Sequence, residues 1–188
     1  MSKELWKPGN MLYPLPAVMV SCSEPGKPDN IITVAWTGTV CTNPPMVYIS
    51  VRPERHSYEM IKNIGEYVIN LTTKELVKAV DYCGVRSGRD VDKFQEMHLT
   101  KEEASFVSVP LIRECPVNIE CRVTEIKELG SHHMFLADVA GVHIDNDLLD
   151  EKGKFCLGDA DLLAYSHGEY FSLGGLLGTF GYSVKKKG

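Results

Sequence analysis

Residues 117–144 constrain the fold more than any other part of the chain. In Val117–Leu129 (VNIECRVTEIKEL) the apolar residues Val117, Ile119, Cys121 and Val123 alternate with other residues, and Ile126 extends the pattern. A glycine-containing hinge, Gly130-Ser131-His132, leads into a second long strand, His133–Ile144. A period of two sends successive side chains to opposite faces, and two such strands around a short turn make an antiparallel hairpin. With strand periods elsewhere and only two or three short helices, the pattern predicts an antiparallel barrel with helices packed outside it. No G-x-G-x-x-G motif stands between a strand and a helix, which excludes a doubly wound nucleotide-binding fold.

The remaining elements follow from period and punctuation. Ala17–Ser23 reads as a strand, Glu24-Pro25-Gly26-Lys27-Pro28 as a turn, and Asn30–Thr39 as a second strand. After the turn Thr42-Asn43-Pro44-Pro45, Met46–Arg52 alternates, with Val47, Ile49 and Val51 on one face. From Ser57 the period becomes helical (Tyr58, Ile61, Ile64), with Ser57 as the expected N-cap and Gly65 as the stop. Glu66–Leu71 is a further strand. Thr72 or Thr73 is expected to cap a helix running to about Tyr82, with Leu76, Val77 and Val80 buried. A polar loop and a short amphipathic piece around Asp92-Lys93-Phe94 follow.

At 188 residues, 44% of them hydrophobic, the chain is the size of one domain with a real core. Its net charge of −5 argues against a nucleic-acid surface, which needs a basic footprint. The basic run Lys185-Lys186-Lys187 reads as a solvated tail. The N-terminus has no apolar core of a signal peptide, and no apolar run reaches membrane length. Six scattered cysteines without a C-x-x-C pair read as reduced thiols of a cytoplasmic protein and give no metal spacing.

Four features could carry chemistry. The Asn30–Thr39 strand ends in small residues (Thr37, Gly38, Thr39), which suits close approach of a flat polar ring. Next, Ser50-Val51-Arg52 and Arg55-His56-Ser57 cluster anion-seeking groups at a helix start. The competing reading is a solvated turn. The loop Ser87-Gly88-Arg89-Asp90 with Lys93 could close over the same anion, or form an ordinary surface loop. His132-His133 could titrate near neutral pH, although no nucleophile elbow or metal-ligand spacing accompanies it, and a plain turn histidine competes. Separately, the glycine-aromatic segment Tyr170–Tyr182 would lie across a ligand or a partner subunit, or pack as an extension.

The ordered motifs N-x-x-T-x-A-W-T-G-x-x-C-x-x-P-P-x-x-Y-x-S-x-R, S-Y-x-x-I, E-Y-V-I-N, D-Y-C-G-x-x-S-G-R-D-x-D-K-F and G-S-H-H-M-F resemble the flavin reductase-like family, and flavoredoxins within it. The resemblance covers nearly the whole chain. It implies one FMN-binding domain over residues 1–188, a split β-barrel of antiparallel Greek-key type, with a C-terminal extension from about residue 168. It also implies a homodimer with the flavin near the subunit interface. Trp36, Thr37, Gly38, Thr39, Val40 and Cys41 would then lie along the isoalloxazine ring. Ser50, Val51, Arg52, Ser57 and Tyr58 would take the ribityl chain and phosphate. Asn70, Cys83, Ser87, Gly88, Arg89, Asp90 and Lys93 would complete the cradle. His132 would stand at the flavin edge or the nicotinamide donor, and alternation puts His133 on the opposite face. The expected activity is transfer of hydride from NADH or NADPH to flavin N5, then of electrons to a small molecule or redox protein. A non-enzymatic electron carrier and a cofactor-free barrel binding module are the competing functions.

Overall fold

The computed structural model describes residues 1–184, so the basic run Lys185 to Lys187 lies outside the described residues. Strands β1 (Leu15–Pro16), β2 (Val18–Cys22), β3 (Asn30–Val34), β4 (Thr37–Cys41) and β5 (Met46–Val51) precede helix α1 (His56–Ile64). Then come β6 (Glu66–Leu71), α2 (Val77–Val85) and the single-turn α3 (Lys93–Glu96). Strands β7 (Lys101–Glu102), β8 (Leu111–Ile112), β9 (Val117–Leu129), β10 (His132–Ile144), β11 (Leu163–Ser166) and β12 (Glu169–Ser172) complete the order.

Seven strands form one antiparallel sheet in the order β3-β2-β6-β9-β10-β5-β4, with the long β9–β10 hairpin at its centre. The edge strands β3 and β4 are separated in sequence only by Ala35 and Trp36. Laid flat, seven strands at about 4.8 Å spacing would hold those edges roughly 29 Å apart. The chain from Val34 to Thr37 can span no more than about 11 Å. The sheet must therefore curl until its edges approach, and the result is a half-barrel. This closure corrects the single strand expected over Asn30–Thr39: the run is two strands, broken at Ala35-Trp36 because its halves belong to opposite edges.

The inner face buries Val47, Ile49 and Val51, as the alternation of β5 requires, against Tyr58, Ile61, Tyr67 and Phe135. A second core lies under α2 and α3 and contains Met19, Ile31, Ala79, Val80, Cys83 and Phe94. Val77, expected inside, is exposed, and the buried face of α2 is Ala79, Val80 and Cys83. The helix is entered through a tight 3₁₀ turn at Lys74–Leu76, whose three-residue period shifts the phase of the apolar stripe. The expected caps also differ. Thr72 Oγ1 donates to the Ala17 carbonyl at 2.5 Å, and Thr73 precedes the 3₁₀ turn without a side-chain cap bond. Helix α1 starts at His56 with Arg55 as its N-cap, which leaves Ser57 inside the first turn and buried. Gly65 ends α1 as expected, at φ 71° with its N–H on the Ile61 carbonyl.

A separate three-stranded sheet, β1-β11-β12, sits beside α2. Beyond Ser172 the chain is irregular until a 3₁₀ turn at Tyr182–Val184, and Leu176, Leu177 and Phe180 are almost wholly exposed. Among the described residues no helix is long and apolar enough to cross a membrane.

Candidate functional site

A cationic pocket of about 480 Å³ opens where the start of α1 faces the loop after α2. Arg52, Arg55, His56 and Ser57 line one side, and Arg86 to Arg89 line the other. Asn30, at the start of β3, ties the sides together: its amide Nδ2 donates to Ser57 Oγ at 2.8 Å. Gly88 packs directly on Asn30, so closely that a Cβ there would stand 2.2 Å from Asn30 Oδ1. Only glycine lets the loop come this near.

Lys93 is buried at the base of the pocket, with Nζ donating to the Ile31 carbonyl at 2.6 Å and the Cys83 carbonyl at 2.8 Å. An ammonium has three donors, so one N–H remains for the pocket. Burial pulls the Lys93 pKa down from its ordinary value. The exposed Arg89 guanidinium donates to the Glu54 carbonyl, and Arg52 pairs with the Glu54 carboxylate at 3.6 Å. His56 registers the local positive potential: burial and then the Arg89 charge disfavour its protonated form.

A second cleft of about 390 Å³ adjoins the first, sharing Ile32, Arg52 and Arg55. Thr33 to Trp36, the joint between the sheet edges, forms one wall; Ser50, Val51 and His132 form another. The Trp36 and His132 rings are 4.2 Å apart at their centroids, and Ser131 Oγ lies 3.0 Å from His132 Nδ1. Burial, followed by the nearby Arg52 charge, lowers the His132 pKa. His133 points the opposite way, as alternation predicts: its Nδ1 lies 2.8 Å from Tyr58 Oη.

The sequence pattern of the flavin reductase-like domain matches residues 11–174. The chain belongs to the flavin reductase-like family. An uncharacterised protein of Archaeoglobus fulgidus is 33% identical over 143 residues, which cover 76% of this chain and 78% of that one. Flavoredoxin of Desulfovibrio vulgaris (Miyazaki F) superposes with a TM-score of 0.90 at 27% identity, covering 98% of this chain and 100% of its own. The flavoredoxin of Methanosarcina acetivorans has the same identity and coverage, with a TM-score of 0.85. The half-barrel is the split barrel of this family, and a flavin-related function goes with it.

The residues implied by the family pattern fall into two groups. Trp36, Ser50, Val51, Arg52, Ser57, Cys83, Ser87, Gly88, Arg89, Lys93 and His132 come together around the two adjoining cavities. The others line neither cavity. Thr37 Oγ1 is used within the sheet, donating to the Tyr48 carbonyl at 2.6 Å, and Gly38 packs against the Tyr48 ring. Thr39 and Val40 are exposed on the β4 edge, with Cys41 half-buried. Tyr58 is a core residue, and Asp90 is exposed beyond the cationic pocket. Asn70 is wholly buried and its bonds are structural: Nδ2 donates to the Met19 carbonyl, and Oδ1 accepts from Ile112 N–H and Asn118 Nδ2.

The sequence reading passed over Asn30 as a site residue, although an amide opening the apolar run NIITV was a usable signal. It also missed Tyr13, Asp81 and Tyr165, which reach the cleft from distant parts of the chain with no local mark.

Proposed function

We propose that the chain is an FMN-dependent oxidoreductase, taking electrons from NADH or NADPH and passing them to a second acceptor, either a small molecule or a redox protein. The observation that carries this reading is the adjacency of the two cavities, which share Ile32, Arg52 and Arg55. A pocket with four arginines and a buried lysine at a helix start adjoins, at Arg52 and Arg55, a cleft walled by backbone and aromatic rings. That donor set fits a planar ring system bearing one terminal phosphate.

In this reading Arg52, Arg55, Arg89, Lys93 and the N–H groups at the α1 start hold the phosphate, with Ser57, Ser87 and Gly88 closing the cradle. Asn30 positions Ser57 and Gly88. Cys83 anchors Lys93 through its carbonyl. Ser50, Val51 and Trp36 border the ring cleft; Thr37, Gly38, Thr39, Val40 and Cys41 extend that border along β4. Tyr58, Asn70 and Asp90 support the site from outside it. His132, whose pKa burial and Arg52 lower, has Nδ1 engaged by Ser131 and keeps Nε2 for the cleft edge, with its ring against Trp36. The bound flavin would supply the redox chemistry, accepting two electrons from a nicotinamide and releasing them to the acceptor.

The chain is also proposed to be a homodimer, its exposed apolar C-terminal segment seated on a second copy. Its free cysteines fit a reducing cytoplasm. The likeness to flavoredoxins supports a second reading, an electron carrier reduced by a protein partner. Two measurements test these readings. The purified protein should show the visible absorption of bound FMN; a colourless protein that takes up no added FMN sinks both. Anaerobic bleaching of that absorption by NADH or NADPH at a catalytic rate selects the reductase, and no bleaching selects the carrier.

A further inference from the structure

The cleft also contains groups that the flavin reading does not use. Tyr13 from the segment before β1, Tyr165 from β11 and Tyr170 from β12 line it together with Asp81 of α2. Their rings form a continuous wall: Tyr13 to Tyr165 is 6.2 Å between centroids, and Tyr165 to Tyr170 is 5.7 Å. The turn of the β11–β12 hairpin braces it. His167, at φ 52°, sets its ring edge-on to Tyr13 at 5.8 Å, and Gly168, at φ 95°, lets the backbone line the cleft. At the end of the wall Tyr170 Oη donates to Asp81 Oδ1 at 3.3 Å. Burial, reinforced by the Asp81 charge, pushes the Tyr170 pKa up to about 12, so the hydroxyl stays a donor to the carboxylate.

This bond decides what the wall offers a ligand. With the Tyr170 proton directed to Asp81, both residues present acceptor lone pairs. The three rings present apolar faces. The cations, Arg52 and Arg55, line the part of the cleft that is shared with the phosphate pocket.

We propose that Tyr13, Tyr165, Tyr170 and Asp81 form a subsite for the second reactant, taking a planar aromatic ring with an N–H or O–H donor, uncharged or cationic, and rejecting ring carboxylates. The subsite rests on the flavin reading for its role in turnover. Its ligand class follows from the wall alone. The ring could belong to a nicotinamide donor or to an aromatic acceptor, and both meet the same groups.

Benzamide and benzoate, one ring differing in a donor amide or a carboxylate, are the direct probes. Their binding is measured by equilibrium dialysis on protein with and without added FMN, and by perturbation of the visible flavin spectrum where flavin is bound. Benzamide is expected to bind at least about tenfold more tightly than benzoate, because a carboxylate would face Asp81. Asp81→Asn, a surface substitution, should abolish that preference. Tyr165→Leu should weaken benzamide about threefold to tenfold through loss of ring contact. Both variants should retain wild-type FMN content. Competition identifies the source: displacement of benzamide by nicotinamide mononucleotide alone assigns the electron donor, and displacement by phenol alone assigns an aromatic acceptor.

Equal binding of the two probes overturns the proposal, as does no saturable binding of either. Loss of FMN together with benzamide in Tyr165→Leu or Tyr170→Phe also overturns it, since the wall would then belong to the flavin. Dialysis on the cofactor-free protein separates this failure from that of the flavin reading, which fails only when FMN itself does not bind.

Discussion

Gly88 and Asn30 show how much of the cationic pocket depends on a single close contact. A methyl at Gly88 would overlap the Asn30 amide and displace it from Ser57. Leaving those buried groups unpaired costs about 1–3 kcal/mol. Gly88→Ala is therefore expected to weaken FMN about tenfold or more, read by fluorescence titration; wild-type affinity would remove Asn30 from the cradle. Lys93→Ala and Arg52→Ala each lose a charge-assisted contact, about 1.5–3 kcal/mol. Unchanged flavin content in both variants would refute the phosphate placement.

His56 in the cationic pocket and His132 in the cleft make a pH prediction. The pKa values of His56 and His132 are held below their ordinary 6.5, so the unfolded chain binds more protons than the folded one between those lowered values and 6.5. In that window stability rises with pH and is lost on acidification. A phosphate beside His56 favours its protonated form and should offset part of the loss. The melting temperature of the FMN-free protein is expected to fall from about pH 7.5 to 5.5, above the carboxylate range, and to fall less with FMN bound. Substituting Gln at both positions should flatten the profile. A cofactor-free melting temperature that stays level or increases on acidification contradicts the assignment.

Among the elements, the strands were legible wherever one face is buried along their length. β5 and the β9–β10 hairpin carry the period of two in their own residues, β6 carries a short apolar run, Tyr67 to Ile69, and the bounds of all four strands fall where expected to within a residue or so. The break between β3 and β4 was not legible, because it is imposed by where the barrel closes and not by Ala35 or Trp36. The helix starts were misread for a related reason. Thr72 and Ser57 look like caps in sequence, but tertiary partners take their side chains. Asn70 belongs at this scale too, as the clamp joining β6 to β2, β8 and β9. Asn70→Ala should cost about 2–3 kcal/mol in urea unfolding, through unsatisfied buried partners, while folded protein keeps its FMN affinity. Loss of affinity without loss of stability would return Asn70 to the cofactor site.

For the whole molecule, the cationic half of the candidate site could be read in advance because its residues are near neighbours in sequence, at Arg52 to Ser57 and Ser87 to Lys93. The aromatic wall could not, since Tyr13 and Tyr165 meet only through β1–β11 pairing. The exposed segment after Ser172 makes its prediction at this scale. Ending the chain at Ser172 should move the protein from dimer toward monomer in light scattering. A full-length chain that is already monomeric, or a truncated one that stays dimeric, rejects that role for the segment. The two-residue joint between β3 and β4 has one more consequence. A curled sheet tears first along its seam, and here the seam runs beside the cleft, with Thr33 and Val34 of β3 on one bank and Trp36 and Ser50, joined by the Ser50 N–H to the Trp36 carbonyl, on the other. A ligand lying there acts as a rivet. Bound FMN should therefore slow amide hydrogen exchange most in β3, β4 and β5 and leave the β9–β10 hairpin almost unchanged.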